Sequence, residues 1–298
     1  MPGSECKPAG AAIIRGIMKR THKLAAVLLA FSLAASVLAL PQVPREKPEE
    51  APNFYFTRLV YTQNPYGGRR GSRGTMAPPD VQFQCPEFGG GNFFPFQGWG
   101  WATDYPGGDC KFMGSIHRLT GIAVHSNPNV MQILDEDLFR FPFAYVVEPG
   151  QMYLSVEDAK RLREYLLRGG FLHVDDFWGP DQFENFEAQI AKIFPDRKLE
   201  RLPLNHQVFR TFFDVDEVIQ APNQGNGCNG GPTWENDFDR EPRVLGVSDD
   251  NGRLMVVVTY NSDLGDAWEY MDLACYPAKY SGYAYRMGLN IMIYAMTH

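Results

Sequence analysis

A chain of 298 residues can hold one large domain or two small ones, and its 44% apolar and 13% aromatic content supports a packed core and excludes a disordered protein. With 28 basic against 35 acidic residues the formal charge is −7, which excludes a face built to hold nucleic-acid phosphates. Lys19, Arg20 and Lys23 precede an apolar run from Leu24 to Ala39 that ends Val37-Leu38-Ala39, the pattern of a secretory signal with a V-x-A cleavage site. Residues 1–17 make no sensible n-region, so Met18 is read as the true start and the upstream stretch as a mis-called extension. The alternative is an uncleaved anchor over 24–39, since the run lies near the roughly 17-residue lower limit of a membrane span. Cleavage leaves 23 basic and 34 acidic residues, a net charge of −11. It also places the protein in the periplasm or outside the cell.

Residues 40–52 are proline-rich and charged, as a linker is, and the domain is expected over 53–298. Phe54 to Thr62 is rich in aromatic and β-branched residues and reads as a first strand. Asn64 to Gly108 is a long loop crowded with glycine, proline and aromatics. Within it, Arg69-Arg70-Gly71-Ser72-Arg73-Gly74 reads as a solvated loop, and Gly98-Trp99-Gly100-Trp101 as aromatics that pin the loop to the body. Asp109 to Leu119 is weakly helical, Ile122 to His125 a second strand, Asp135 to Phe139 a helical turn, and Phe143 to Val147 a third strand.

Ser155, followed at the third position by Asp158, caps a helix whose Leu162, Tyr165 and Leu166 recur at helical spacing until Gly169-Gly170 ends it. The next strand runs from Phe171 straight into Asp175 and Asp176. Continuous apolar content suggests burial on both faces in a parallel sheet, whose ligands gather at the carboxyl ends of strands. Asp181 is read as the cap of a helix carrying Phe183, Phe186, Ile190 and Ile193 on one face, with Pro195 as its stop. A second glycine-rich loop carries Cys228. Val244 to Val247 and Leu254 to Tyr260 flank Asp249-Asp250-Asn251-Gly252, a hairpin turn. A last helix is expected from about Lys279 to Ala295.

The mature chain keeps Cys85, Cys110, Cys228 and Cys275, an even number that in an exported protein suggests two disulfides. Pairing Cys85 with Cys110 and Cys228 with Cys275 would tie down one irregular loop each. Free buried thiols are the alternative.

From about Asn53 onward the chain resembles the domain of unknown function 4159 family. The residues that carry the match are Trp101-Ala102-Thr103-Asp104-Tyr105-Pro106, Glu148-Pro149-Gly150, Leu166 to Phe171, Asp175-Asp176-Phe177-Trp178-Gly179, Asn261 to Asp266 and Gly288-Leu289-Asn290. The resemblance implies a single three-layer α/β domain with a mostly parallel sheet and long glycine-rich loops, similar to class I glutamine amidotransferase-like and flavodoxin-like folds. It brings no established activity. Amidotransferase chemistry needs a cysteine at a G-x-C-x-G elbow between strand and helix, and Cys228, in Gly225-Asn226-Gly227-Cys228-Asn229-Gly230, lacks the first glycine and both flanking elements.

The polar residues then leave two functional readings. In one, an exported binding or scaffold module uses His173, Trp178, Asp104, Asp263, Asp266 and Glu269 to bind a small-molecule, glycan or protein partner. In the other, Asp175, Asp176 and His206 are catalytic, with Asp175 and Asp176 also binding a divalent metal, in a metal- or carboxylate-dependent hydrolase acting on a small molecule or glycan. The structural alternative is that Asp175, Asp176, Asp263 and Asp266 hydrogen-bond backbone amides at turns and helix starts. Trp178 and Trp268 are expected to cover the crevice. No nucleic-acid partner is expected, and membrane contact is expected only through an uncleaved N-terminal segment.

Overall fold

Alternation along each strand decides which side chains meet which helical layer. A computed structural model describes residues 54–63, 85 and 98–298. The signal, the linker and the Arg-Gly tract lie outside the described residues.

Strands β1 (Thr57–Val60), β3 (Asn129–Gln132), β4 (Phe143–Val147), β6 (Phe171–Asp175), β7 (Glu200–Arg201), β8 (Arg243–Ser248) and β9 (Leu254–Tyr260) form a seven-stranded sheet of spatial order β3-β1-β4-β6-β9-β8-β7. The five strands β3, β1, β4, β6 and β9 are parallel, while β8 and β7 are antiparallel additions. Numbered along the chain, the parallel strands run two-one-three-four-five. A second ribbon pairs β2 (Thr62–Gln63) with β5 (Met152–Tyr153). The helices are α1 (Gly107–Thr120), α2 (Val156–Leu167), α3 (Gly179–Ile193), α4 (Gln224–Asn229), α5 (Leu264–Glu269) and α6 (Ala278–Thr297).

On one face of the sheet, Ala144, Val146, Leu172, Val174, Val256 and Val258 pack against α2 and α3. On the other, Phe143, Tyr145, Phe171 and Val257 pack against α1, α5 and α6. With both faces covered, the central strands are apolar throughout, as the reading of β6 required. The capping box at Ser155 is formed, its hydroxyl accepting from the Asp158 amide while Asp158 accepts from the Ser155 amide.

Several boundaries differ from the sequence reading: the first strand is confined to Thr57–Val60, Thr62 belongs to the separate ribbon, and Cys228 lies on α4 rather than in a loop. The second strand is β3 rather than residues 122–125, of which only Val124 bridges to Phe54. His125-Ser126-Asn127-Pro128 makes a turn first, and pairing with β1 begins at Asn129. The helix after β6 starts at Gly179 with Trp178 at its N-cap, so Asp181 falls inside the first turn. Gly179 has φ +77, and a Cβ there would stand 2.1 Å from the Asn236 side chain, which leaves only glycine to open this helix.

Both disulfides join the expected partners, Cys85 with Cys110 on α1 and Cys228 on α4 with Cys275. Trp101 is fully buried, whereas Trp99 is exposed, and most of the loop before them lies outside the described residues. Among the described residues, no helix is long and apolar enough to cross a membrane.

Candidate functional site

Three adjacent parallel strands end in the same unusual way. Glu148 after β4, Asp176 after β6 and Asn261 after β9 are all non-glycine residues in the left-handed region, at φ 52, 55 and 54, and Asp104 before α1 is a fourth at φ 60. Such a conformation costs a non-glycine residue on the order of 1 kcal/mol and turns the chain sharply out of the sheet. For Asp175 and Asp176 that turn separates two neighbouring carboxylates into different surroundings.

Asp175 follows the strand alternation into the interior and is fully buried. It accepts hydrogen bonds from Thr259 Oγ1, from Tyr145 Oη at 3.1 Å, and from the backbone amides of Leu264 and Gly265 at 3.0 and 3.1 Å. Its oxygens hold the start of α5 against β6, the structural role weighed for it above. His173, on the same face, is buried between Tyr145 and Trp268 with Nε2 3.2 Å from Thr259 Oγ1, and burial pushes its pKa down to about 3. It is a neutral core histidine. His206 does not join the site. It caps the 3-10 turn Gln207–Phe209 beside Tyr294, whose hydroxyl accepts from the amide of Leu254 at the opposite, amino end of β9.

Asp176 turns outward, 5% exposed, and one carboxylate oxygen accepts from Trp178 Nε1 at 2.7 Å. There it meets Asp104 and Asp263, with one carboxylate oxygen from each of the three within 4.8 Å of the others. Asp104, Asp266 and Glu269 make a second such trio. The two trios share Asp104, so five carboxylates converge at the carboxyl end of the sheet, drawn from the segment before α1, the end of β6 and helix α5. Asp263 caps α5 by accepting from the Asp266 amide at 2.7 Å, and Asp266 accepts from the Gln224 amide that opens α4.

Glycine backbones form the cradle. A Cβ at Gly265 would stand 2.1 Å from Asp104 Oδ2, and one at Gly107 would stand 2.2 Å from Glu269 Oε1. Asp104 Oδ2 is buried with no hydrogen-bond partner among the described residues. Trp268 is a core residue stacked on Phe112 at 4.3 Å, while Trp178 serves the site by donating to Asp176.

Burial first, and repulsion by neighbouring carboxylates second, hold Asp104, Asp176 and Asp263 well above the usual carboxylate range. Glu269 is pushed up to about 7 by burial and by Asp266. The two cations acting on the cluster, Arg58 and Lys111, are already engaged by Asp109 and Asp272. Burying charge without a counter-charge is costly, so these groups hold either protons or a bound cation.

Asp175 and Glu269, ordinarily at 3.8 and 4.5, both lie at about 7 in the folded chain. Between those values the folded state binds protons that the unfolded chain has released, so stability falls as pH rises from about 4 to about 7 and stays low above that window. In EDTA, the urea midpoint should therefore be higher at pH 5 than at pH 8. A midpoint that climbs with pH across this window would contradict the placement of these groups.

Fold and site together define an α/β protein with an acidic crevice at the carboxyl ends of a mostly parallel, seven-stranded sheet. The chain belongs to the family described as a domain of unknown function, DUF4159, whose model matches residues 95–296. No curated protein matches it.

Of the residues expected to act together, Asp104, Asp176, Asp263, Asp266 and Glu269 are assembled in one cluster with Trp178 beside Asp176, while Asp175 and His173 are core residues outside it. Sequence reasoning missed Arg58 and Tyr145. A lone arginine inside the aromatic strand Phe54 to Thr62 was the available signal, since an inward charge in a buried strand requires a partner.

Proposed function

We propose that the crevice binds a divalent cation through Asp104, Asp176 and Asp263, with Asp266 and Glu269 extending the site, and that the chain is an exported, cation-dependent hydrolase. The carrying observation is the convergence of two carboxylate trios on one shared residue, Asp104, whose buried Oδ2 has no hydrogen-bond partner among the described residues. An all-oxygen donor set suits a hard cation such as Mg2+, Ca2+ or Mn2+. When bound, such an ion supplies Lewis-acid polarisation and a more acidic water. Asp176 and Asp263 hold the crevice's charge in place, because each is fixed by a hydrogen bond, from Trp178 Nε1 and from the Asp266 amide. Glu269 lies at about 7 in the cation-free chain, and a bound cation would lower it and favour the carboxylate.

The two-one-three-four-five order of the parallel strands supports the flavodoxin-like and amidotransferase-like kinship. Asp176 stands where that kinship would put a nucleophilic cysteine. Export rests on the signal pattern of residues 18–39 and agrees with two disulfides. A second reading, a binding module without catalysis, is favoured by one observation: Asp175, Asp263 and Asp266 also hold helix starts together. The same cation would then stiffen a docking surface.

Thermal unfolding of the full chain with a panel of divalent cations, and in EDTA, tests the site. A cation at 100 times its Kd stabilises by about 2.7 kcal/mol. The Asp176→Asn, Asp263→Asn double variant should lose the whole shift, and in EDTA at pH 8 it should melt above the parent. Asparagine keeps both hydrogen-bond acceptors and removes two mutually repelling charges. If no cation moves the melting curve, the site assignment fails. If cations move it but the chain cleaves nothing across ester, amide and glycoside panels, the binding-module reading stands in its place.

A further inference from the structure

A cavity of about 320 Å3 is lined by Asn223 and Asn226 from the start of α4 and by Pro232, Trp234, Glu235 and Asp237 from the loop between α4 and β8. It adjoins the acidic crevice by two routes. Asn223, which caps α4, directly precedes Gln224, whose amide holds Asp266. Glu235 lies near enough to Asp176 to raise its pKa.

The lining has a definite chemistry. The Arg240 guanidinium covers one face of Trp234, 4.5 Å from the ring centroid, and the indole N–H donates to Asp237 at 3.1 Å, so the opposite face is the one left for the cavity. Asn223 Nδ2 donates to Glu235 Oε1 and so orients that carboxylate. The Asn226 side-chain amide makes no hydrogen bond among the described residues, which leaves a donor and an acceptor beside the aromatic face. No lining residue is basic; Asp237 is paired with Arg240 at 2.7 Å, so the carboxylate that turns anions away is Glu235. Phe238, on the same loop, is 91% exposed and adds a second aromatic ring at the surface.

We infer that this cavity is a subsite for an uncharged sugar ring of a glycan, stacked on Trp234 and hydrogen-bonded by Asn226 and Glu235. The inference rests on the proposed function only in making the acidic crevice the reacting end. An aromatic face beside amide and carboxylate groups matches a pyranose, whose ring offers apolar C–H groups on its faces and hydroxyls at its rim. The cavity holds about one such ring, and the next unit of a chain would extend toward Asp176 and Asp263.

The test is binding of the labelled full chain, in the presence of the stabilising cation and again in EDTA, to an array of neutral, amino-sugar and uronic-acid oligosaccharides. We expect binding to neutral members, none to uronic-acid members, and at least a tenfold loss of affinity in both Trp234→Ala and Asn226→Ala. Both variants should keep the parent's melting behaviour, including any cation-dependent shift, which shows them folded. Absence of binding to every neutral member, equal binding to uronic-acid members, or undiminished binding by Trp234→Ala would each overturn the subsite. Neutral-sugar binding without any cation shift would overturn the cation site alone, and a cation shift without sugar binding would overturn the subsite alone.

Discussion

Asp175→Ala lowers the melting temperature by roughly 10 °C already in EDTA, where no cation is bound. The substitution strips a common acceptor from the Thr259 and Tyr145 hydroxyls and from the Leu264 and Gly265 amides, all buried. Stranding several buried donors costs roughly 3 to 5 kcal/mol, and a domain of this size loses about 2 to 4 °C per kcal/mol. Differential scanning calorimetry of parent and variant makes the comparison. A loss confined to the cation-loaded protein would make Asp175 a ligand and refute its role as the clamp between β6 and α5.

Arg58→Met should destabilise by roughly 3 to 5 kcal/mol, the usual cost of leaving a buried ion without its partner. Arg58 is buried in the middle of β1, where its Nε donates to Asp109 Oδ2 at 2.9 Å, a second guanidinium nitrogen pairs with the other carboxylate oxygen, and the third donates to the Trp101 and Thr103 carbonyls at 2.9 and 2.7 Å. Those carbonyls belong to the segment that delivers Asp104, so the variant should also weaken the cation-dependent stabilisation. Arg58→Lys is no remedy, because an ammonium cannot make the forked contact and reach both carbonyls. Adding Asp109→Leu should restore part of the stability by removing the stranded carboxylate, but not the cation response. Urea denaturation reads both. A double variant no more stable than Arg58→Met would show that the cost lies in the lost carbonyl contacts rather than in the unpaired charge.

Local signals carried the elements well where one residue type dictates geometry. Ser155 with Asp158 fixed a helix start, Gly169-Gly170 its end, and the unbroken apolar run from Phe171 a strand buried on both faces. Residues 122–125 misled because Ile122-Ala123-Val124 has strand composition, whereas pairing depends on which segment lies in register with β1. The site was legible in its parts but not in its arrangement. Asp175 and Asp176 read as a pair because they are adjacent, yet the left-handed turn at Asp176 sends one carboxylate down among hydroxyls and amides and the other up toward Asp104 and Asp263. Asp104 lies 72 residues before Asp176, and no spacing rule joins them. Only the sheet order, which places the end of β6 beside β9 and brings α1 against α5, makes them neighbours. His206 carried a chemical prior and no positional one, and the fold set it at the far end.

Neither disulfide contains a residue that touches the acidic crevice, yet each is fastened to one of the helices that frame it. Cys110 sits in the first turn of α1, just beyond the Gly107 on which Glu269 rests, and Cys228 sits on α4, whose opening amide grips Asp266. The choice of reductant in a storage buffer is therefore an experimental variable for this protein. A preparation made in a reducing cytoplasm, or kept in thiol, can retain its sheet and show normal far-ultraviolet dichroism while its carboxylates have lost their register, and a failed assay on such material would report on its handling and not on its chemistry.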